Sequence, residues 1–250
     1  MMRVKLLLSA LVLIAMSTDL FAQRRTKAED DQDTYKTFTS AGLTTNTNSG
    51  ILGGFVFRQS SALSSKLWGK NQYRYLALEL VNVKHPKEFT EQGYGGGSRN
   101  IRGKANYLFA LRPEYGREIT LFNRHEDEGI SISAILAAGP TLGLEKPYMI
   151  KVRQQDGRIE TLPIADATTG EFIGAGSFFQ GFGKTKIVPG LHVKAALSFE
   201  LSAFRENVTG LEIGFLTEAY TRKPEIMLQA ENRNFFTSGY LTIYFGNKKK

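Results

Sequence analysis

From residue 37 onward, the chain consists mostly of short segments in which apolar and polar residues alternate. Residues 191–204 show this best, because Val193 and Leu197 fall on one face of an extended strand while Lys194 and Glu200 fall on the other. Successive side chains of a strand point to opposite sides, so this alternation predicts β-structure, and long helical patterns are scarce. Seven segments are clear, over residues 51–60, 73–83, 107–122, 130–144, 191–204, 211–220 and 240–245.

An eighth strand follows from the lengths of the connections. Residues 123–129 and 205–210 are short connections, and short turns of bacterial outer-membrane barrels face the periplasm. Residues 84–105, 146–190 and 222–236 then become outer loops. For both termini to lie in the periplasm, one strand must precede residue 51, and the polar residues 37–45 are the candidate. We therefore predict an all-β fold, an eight-stranded antiparallel transmembrane β-barrel over residues 37–246, with a long extracellular loop over residues 146–190.

Ionised residues occupy the polar face of the predicted strands. A soluble barrel turns its apolar face inward, whereas a membrane barrel turns that face to lipid. Charges of both signs in mid-strand favour the membrane barrel, with a soluble exported barrel carrying a charged outer surface as the alternative. The predicted interior charge network consists of Arg58, Glu79, Arg112, Glu114, Glu118, Lys194, Glu200, Glu212 and Glu218.

Aromatic residues near the strand ends support the same choice. Tyr73, Tyr75, Tyr107, Tyr115, Tyr220, Tyr240, Tyr244 and Phe245 are predicted to form the aromatic girdles found where a membrane meets water. The interior of an eight-stranded barrel is just wide enough for side chains. We therefore expect the interior charges to neutralise one another rather than to line an open pore.

The two ends of the chain have a different character. Residues 1–22 have a basic start, an apolar run and a small residue before the cut, which is the pattern of a secretory signal peptide. Residues 23–36 are predicted to be a charged periplasmic head, and residues 247–250 a basic tail. There is no cysteine, so disulfides and thiolate metal sites are excluded. The net charge of +8 suggests anionic lipid neighbours, since nucleic acid is a poor partner for an exported protein.

The longest predicted loop carries its own pattern. Residues 148–163 resemble a hairpin with its turn at Asp156 and Gly157, and residues 174–183 alternate glycine with phenylalanine. A folded hairpin is more than a linker needs, which suggests a binding role. Lysines and arginines on the outer loops suit the phosphates of lipopolysaccharide. The candidate contacts to lipid or to other envelope proteins are Phe178, Phe179, Phe182, Lys151, Arg153 and Arg158.

Several phrases of the sequence carry a family resemblance. They are KHPKE at residues 84–88, RPEYG at 112–116, GPTLGLEKPY at 139–148, KIVPG at 186–190 and GYLTIYFG at 239–246. On these motifs the chain resembles an uncharacterised family of small outer-membrane barrels of Bacteroidota. Its architecture is also similar to that of the barrel subunit of the type IX secretion apparatus. The resemblance implies a barrel that accompanies a larger envelope assembly, without known chemistry.

The residues that bear chemistry form no catalytic or metal-binding motif. His85, His125 and His192 lack metal-ligand spacing, and the acidic neighbours of His125 are most simply a solvated turn. We predict a non-enzymatic scaffold or accessory subunit of an envelope assembly or secretion complex, with no cofactor. One alternative is a lipid A-modifying barrel enzyme that uses Ser98 or Ser177 with a histidine. The other is a small-solute channel.

Overall fold

A computed structural model describes residues 35–91, 100–123, 130–204 and 207–249, which belong to one compact unit. The predicted signal peptide and most of the predicted head lie outside the described residues. Eight long strands form the body of this unit: β1 (Thr37–Asn46), β2 (Gly50–Ala62), β3 (Gln72–Val83), β6 (Asn106–Phe122), β7 (Ser131–Pro147), β11 (Lys186–Phe204), β12 (Asn207–Tyr220) and β13 (Phe235–Lys249). Shorter strands lie between them: β4 (Thr90–Glu91), β5 (Asn100–Ile101), β8 (Met149–Arg153), β9 (Ile159–Pro163) and β10 (Glu171–Ala175).

The eight long strands close into a barrel in the order β1, β13, β12, β11, β7, β6, β3, β2. All neighbours are antiparallel, and β1 closes the cylinder by pairing with β13 from Thr37 opposite Lys249 to Asn46 opposite Tyr240. Closure gives every long strand two neighbours, so that no backbone edge is left unpaired. The predicted all-β, eight-stranded antiparallel barrel is confirmed, including its polar first strand.

The connections divide between the two ends of the barrel. Residues 47–49, 84–105, 148–185 and 221–234 connect strands at one end, which we call the loop end. Residues 63–71, 123–130 and 205–206 connect strands at the other end, where β1 begins and β13 finishes, and we call it the terminal end. The three longest connections, residues 84–105, 148–185 and 221–234, all lie at the loop end, although the connection over residues 47–49 at that end is short.

The barrel wall has reversed polarity relative to a soluble protein. Phe215 is 71% exposed on the outside of β12, while its neighbours Leu216 and Gly214 face inward. Arg112 is only 2% exposed and lies inside. The alternative of a soluble barrel with a charged outer surface is therefore wrong, because the ionised faces of the strands point into the cylinder.

Five of the tyrosines that were predicted to form membrane girdles lie inside the barrel instead. They are Tyr73, Tyr75, Tyr220, Tyr240 and Tyr244, each no more than 6% exposed. Tyr73 and Tyr75 share the strand parity of Glu79, so their rings point inward with that carboxylate. Tyr115 and Phe245 do lie on the outer surface, as the girdle requires.

The structure moves several predicted boundaries. β7 reaches Pro147 and β11 begins at Lys186, so barrel strands take both ends of the predicted 146–190 loop. β13 continues to Lys249 because residues 247–249 pair with β1, which removes most of the predicted basic tail. Tyr35 was assigned to the charged periplasmic head over residues 23–36, but it is buried at the terminal end, where it packs against Phe38 and Tyr73.

The longest loop folds into a sheet of its own. β8 pairs with β9 around the turn where the sequence predicted a hairpin, and β10 pairs with the other side of β8. Gly157 in this turn has a φ of 82°, a conformation that glycine adopts without strain. Ile150 and Val152 on β8 pack with Tyr148 in a small apolar cluster. We call β8, β9 and β10 the loop-end sheet.

Two single-turn 3-10 helices, Ile164–Asp166 and Phe182–Lys184, complete the described elements. Among the residues that the structure describes, no helix has the length and apolar character needed to cross a bilayer.

The interior packing at Gly210 generates a stability prediction. A Cβ at Gly210 would collide with the ring of Tyr244, whose hydroxyl lies 2.8 Å from the Ser198 Oγ. We expect Gly210→Ala to lower the free energy of unfolding by about 1–3 kcal/mol, the usual cost of overpacking. Gly183→Ala is the matched control, because a methyl group added there would have no atom within 4 Å. Denaturant titration in detergent micelles measures both, and equal stability of the two variants would contradict the packing.

Candidate functional site

Aromatic rings fill the barrel at the terminal end. Tyr35 stacks on Tyr73 with ring centroids 4.4 Å apart, and Phe38 meets Tyr244 edge-to-face. The Lys248 ammonium lies 4.8 Å from the Tyr35 ring and 2.7 Å from the Glu200 carboxylate. The rings close this end of the interior, and the end of β13 supplies a cation to it.

Arg58 holds the next layer of the interior. Its Nη1 donates to the Glu212 carboxylate at 2.9 Å, and its Nε donates to the Ser40 hydroxyl at 3.0 Å. The guanidinium also lies 4.1 Å from the centroid of the Tyr244 ring. A planar, delocalised cation suits such a stacked position better than an ammonium would. Arg58 on β2 thereby connects to β12, which is not its neighbour in the barrel.

Two further carboxylates flank this layer. The Ser60 hydroxyl donates to the Glu118 carboxylate, so Glu118 on β6 connects with β2 across the width of β3. Glu200 on β11 accepts from Lys248 on β13, across β12. Both contacts join strands that do not pair with each other.

Lys194 lies at the middle of the barrel. Its Nζ is 3.2 Å from the Glu114 carboxylate and 3.1 Å from the Glu212 carboxylate. The Tyr240 hydroxyl donates to Glu212 at 2.6 Å, and the Tyr240 ring lies 4.8 Å from the same ammonium. Glu212 therefore accepts hydrogen bonds from Arg58, Lys194 and Tyr240. Through Glu212, the Lys194 layer is linked to the Arg58 layer, which lies nearer the terminal end.

Arg112 forms the layer nearest the loop end. Its Nε and Nη2 donate to both oxygens of Glu218 at 3.0 and 2.8 Å, while Nη1 donates to Glu79 at 3.1 Å. Such a two-bond fork is the strongest geometry for an arginine–carboxylate pair. Beside it, the His192 Nδ1 lies 2.9 Å from the Thr141 hydroxyl.

All nine residues of the predicted interior network therefore lie inside the barrel, at 5% exposure or less. Each cation contacts at least two groups from different strands, so that its desolvation is offset by several charge-assisted hydrogen bonds. Among the described residues, paired charges thus occupy successive layers of the interior, and Glu212 links the Arg58 layer to the Lys194 layer.

An apolar plug closes the loop end above Arg112. Val81, Leu108 and Val188 point inward from the wall, and Ile226 and Met227 enter from the loop between β12 and β13. Ile226 is held by the backbone, because its carbonyl accepts from the Ala105 N–H at 2.8 Å. The sequence analysis missed this plug, although the apolar triplet of residues 226–228 inside a polar loop was a usable signal.

Ion pairs also bind the loops to the barrel rim. Arg222 donates two hydrogen bonds to the inward-facing Glu145, and these bonds raise the pKa of Arg222. Lys104 pairs with Glu88 at 2.6 Å, while burial lowers the pKa of Lys104 from 10.5 despite that partner. The first contact holds the loop that carries Ile226 and Met227, and the second lies within the loop between β3 and β6.

The predicted lipid or partner contacts separate into two groups. Phe178, Phe179 and Phe182 lie together, with centroids 5.6 Å apart for the first two and 6.2 Å for the first and last. Lys151 and Arg153 belong to β8, where Arg153 pairs with Glu171 at an exposed position. Arg158 lies in the turn between β8 and β9 and pairs with Asp156, also at an exposed position. Lys151, on the same strand as Arg153, is also exposed.

The candidate catalytic groups are not assembled. His192 lies inside the barrel, whereas the His85 Nε2 lies 3.3 Å from the Glu231 carbonyl in the loops. Among the described residues, no hydrogen bond joins Ser177 to either histidine. Ser98 and the His125 cluster lie outside the described residues. Over the ranges that are described, no three histidine or acidic side chains are arranged to hold a metal ion.

A closed eight-stranded barrel with ionised side chains inside and apolar side chains outside is a barrel of the outer-membrane type. No protein-family model and no curated protein matches the chain. Among solved structures, it is similar to the crystal structure of Neisserial surface protein A at 12% identity, over 85% of this chain and 95% of that one, with a TM-score of 0.34. The class therefore rests on the strand pairing and the polarity of the wall.

The Arg112 layer gives a direct test of the interior network. Arg112→Ala leaves two buried carboxylates without their cation, which is expected to cost about 3–5 kcal/mol. Arg158→Ala removes an exposed ion pair of the turn between β8 and β9 and is expected to change stability by less than about 1 kcal/mol. Heat-modifiable gel mobility compares them, and equal thermal resistance of the two variants would refute the network.

A second set of variants separates charge from packing at Arg112. Arg112→Met keeps most of the volume and removes the charge. Adding Glu79→Gln and Glu218→Gln removes the stranded charges, so we expect this triple variant to be more heat-resistant than Arg112→Met. If the two glutamines bring no recovery, the cost arises from lost packing alone.

Proposed function

We propose that this protein is a non-enzymatic outer-membrane β-barrel that serves as a scaffold or accessory subunit of an envelope assembly, with both termini in the periplasm. One observation carries the proposal: the barrel has ionised side chains inside, where they pair with one another, and large apolar side chains on its outer surface. Its outer wall suits acyl chains, and paired charges, aromatic rings and apolar side chains of the described residues occupy its interior. What remains available for function is the surface at the loop end.

The outer wall supports the membrane location. Its large apolar side chains run around the barrel, with Phe57 on β2, Leu136 on β7 and Phe215 on β12 all more than half exposed. Exposing so much apolar surface to water is unfavourable, at roughly 25 cal/mol per Å². A lipid bilayer removes that cost, and each long strand pairs with a neighbour on both sides, as a strand within a bilayer requires.

The interior argues against the small-solute channel. Tyr35 and its neighbours occupy the terminal end, the network of Arg58, Lys194 and Arg112 occupies the middle, and the Ile226 plug occupies the loop end. A solute would have to displace paired charges whose separation is costly.

The loop-end sheet supports the scaffold role. Connections in compact domains are usually only a few residues long, yet residues 148–185 build three paired strands with their own apolar cluster. The outer edges of β9 and β10 have no strand partner within the described residues, and Ile159 and Phe172 are exposed on them. Such edges and side chains suit a protein partner that adds a strand or packs on the sheet.

A secretion complex is one assembly in which such a barrel would serve. The predicted kinship with small Bacteroidota barrels stays a prediction, because no family model matches the chain.

Electrical recording tests the closed interior. Purified protein reconstituted into planar bilayers is expected to give no discrete conductance steps, because each layer of the interior is filled by side chains. An eight-stranded barrel known to conduct is the positive control for insertion. Reproducible steps from this protein would contradict the scaffold proposal and favour the channel.

Excision of the loop-end sheet tests the scaffold role. Ile150 pairs with Ala175, so Met149 and Gly176 lie close together and a short glycine–serine linker can replace residues 149–175. We expect this variant to keep the heat-modifiable mobility of a folded barrel but to lose proteins that co-purify with the intact chain in mild detergent. The intact chain is the matched control. Unchanged co-purification would contradict docking through the sheet.

A further inference from the structure

Lys146 occupies an unusual position for a cation. It follows Leu142 and Leu144 on the outward face of β7, the face that we propose meets lipid. The lysine is nevertheless only 1% exposed. Among the described residues, no carboxylate forms an ion pair with it.

Aromatic rings surround the Lys146 ammonium in place of a carboxylate. Its Nζ lies 5.0 Å from the centroid of Tyr107, 4.9 Å from that of Phe178 and 5.1 Å from that of Phe182. A cation over ring faces at these distances is attracted by the ring quadrupoles, more strongly when water is excluded. Tyr107 belongs to the barrel wall, whereas Phe178 and Phe182 come from the loop over residues 176–185, which we call the aromatic cover.

The aromatic cover is held by backbone hydrogen bonds, one to β8 and others within the cover. The Gly176 N–H donates to the Met149 carbonyl at 2.8 Å, the Gln180 N–H donates to the Ser177 carbonyl at 3.0 Å, and the Lys184 N–H donates to the Gly181 carbonyl at 3.0 Å. The aromatic cover thus consists of hydrogen-bonded turns rather than an extended linker. It holds Phe179 with 80% of its surface exposed, at the outside of the molecule.

The exposed side of the aromatic cover continues the apolar wall. Phe178 packs perpendicular to Phe109, an outward-facing side chain of β6, at 6.1 Å between centroids. Ile187 of β11 is exposed next to the cover in sequence. Lys184 and Lys186 are exposed as well, so cations accompany the rings, as is usual where acyl chains give way to headgroups.

We propose that the aromatic cover is a membrane anchor: Phe178, Phe179 and Phe182 insert at the boundary between headgroups and acyl chains of the loop-side leaflet, and Lys146 positions them from behind. This inference rests on the proposed membrane location of the barrel. The occupant of the surface is lipid, because the patch is continuous with the lipid-facing wall through Phe109. The anchor extends the apolar surface of the barrel beside β6, β7 and β11.

Tryptophan fluorescence tests the anchor. The chain contains one tryptophan, Trp68, so Trp68→Phe provides a silent background. Phe179→Trp reports on the cover, Phe57→Trp on the barrel wall and Ile159→Trp on the loop-end sheet. Each variant is reconstituted into phosphatidylcholine vesicles whose acyl chains carry bromine either near the headgroup or near the methyl end.

We expect bromine near the headgroup to lower the emission of Phe179→Trp at least about twofold, as for an interfacial aromatic side chain. Ile159→Trp is expected to keep its emission, and Phe57→Trp to be quenched by the deeper bromine. If Phe57→Trp is quenched and Phe179→Trp behaves like Ile159→Trp, the anchor is refuted while the membrane barrel stands. If Phe57→Trp is not quenched either, the proposed membrane location fails and the anchor fails with it.

The role of Lys146 is tested in the Phe179→Trp background. Lys146→Glu places a carboxylate against the negative ring faces, so we expect quenching of Phe179→Trp to fall to the level of Ile159→Trp. Lys146→Arg retains a cation and is expected to retain the quenching. Quenching of Phe57→Trp in the Lys146→Glu background serves as the control for a folded, inserted barrel. If that control is quenched and Phe179→Trp also stays fully quenched, Lys146 does not position the cover.

Discussion

The pairing of ionised groups in a space too narrow for bulk water is the interaction on which this structure depends. An eight-stranded barrel has to be filled by side chains, and here many of those side chains carry charge. Arg112 on β6 joins Glu79 on the adjacent β3 to Glu218 on the far side of the barrel. Arg58 and Lys194 make similar crossings. The network thus ties together strands that the backbone ladder does not join.

The character of the outer surface follows from that interior. Because strand side chains alternate, a strand that turns glutamate and arginine inward turns leucine and phenylalanine outward. The wall then suits the lipid environment that we propose. Among the described outward positions of the wall, the one buried cation is Lys146, and aromatic rings lie against it in place of a carboxylate. The loops also contribute to the interior, since Ile226 and Met227 occupy the loop end of the barrel, beyond the charged layers.

Sequence reasoning succeeded where a residue's environment follows from its place in an alternating pattern. The polar strand Thr37–Asn46 was located by topology alone, since an even number of strands was needed. Sequence reasoning failed for tyrosine, because this residue type suits both the membrane interface and a polar barrel interior. Tyr75 and Tyr244 were assigned to the membrane interface by their position near strand ends, yet strand parity turns both rings inward. Parity relative to Glu79 would have placed Tyr75 correctly.

The sequence by itself determined seven of the eight long strands and which mid-strand ionised side chains share one face, because alternation with period two is a local property of the backbone. Only the tertiary structure decided which groups meet. Arg112 and Glu218 are 106 residues apart, and their contact depends on the closure and register of the whole barrel. The contact between the Phe178 ring and the Lys146 ammonium was likewise decided by the tertiary structure. It depends on the path of a loop across the barrel wall, which no local sequence pattern encodes.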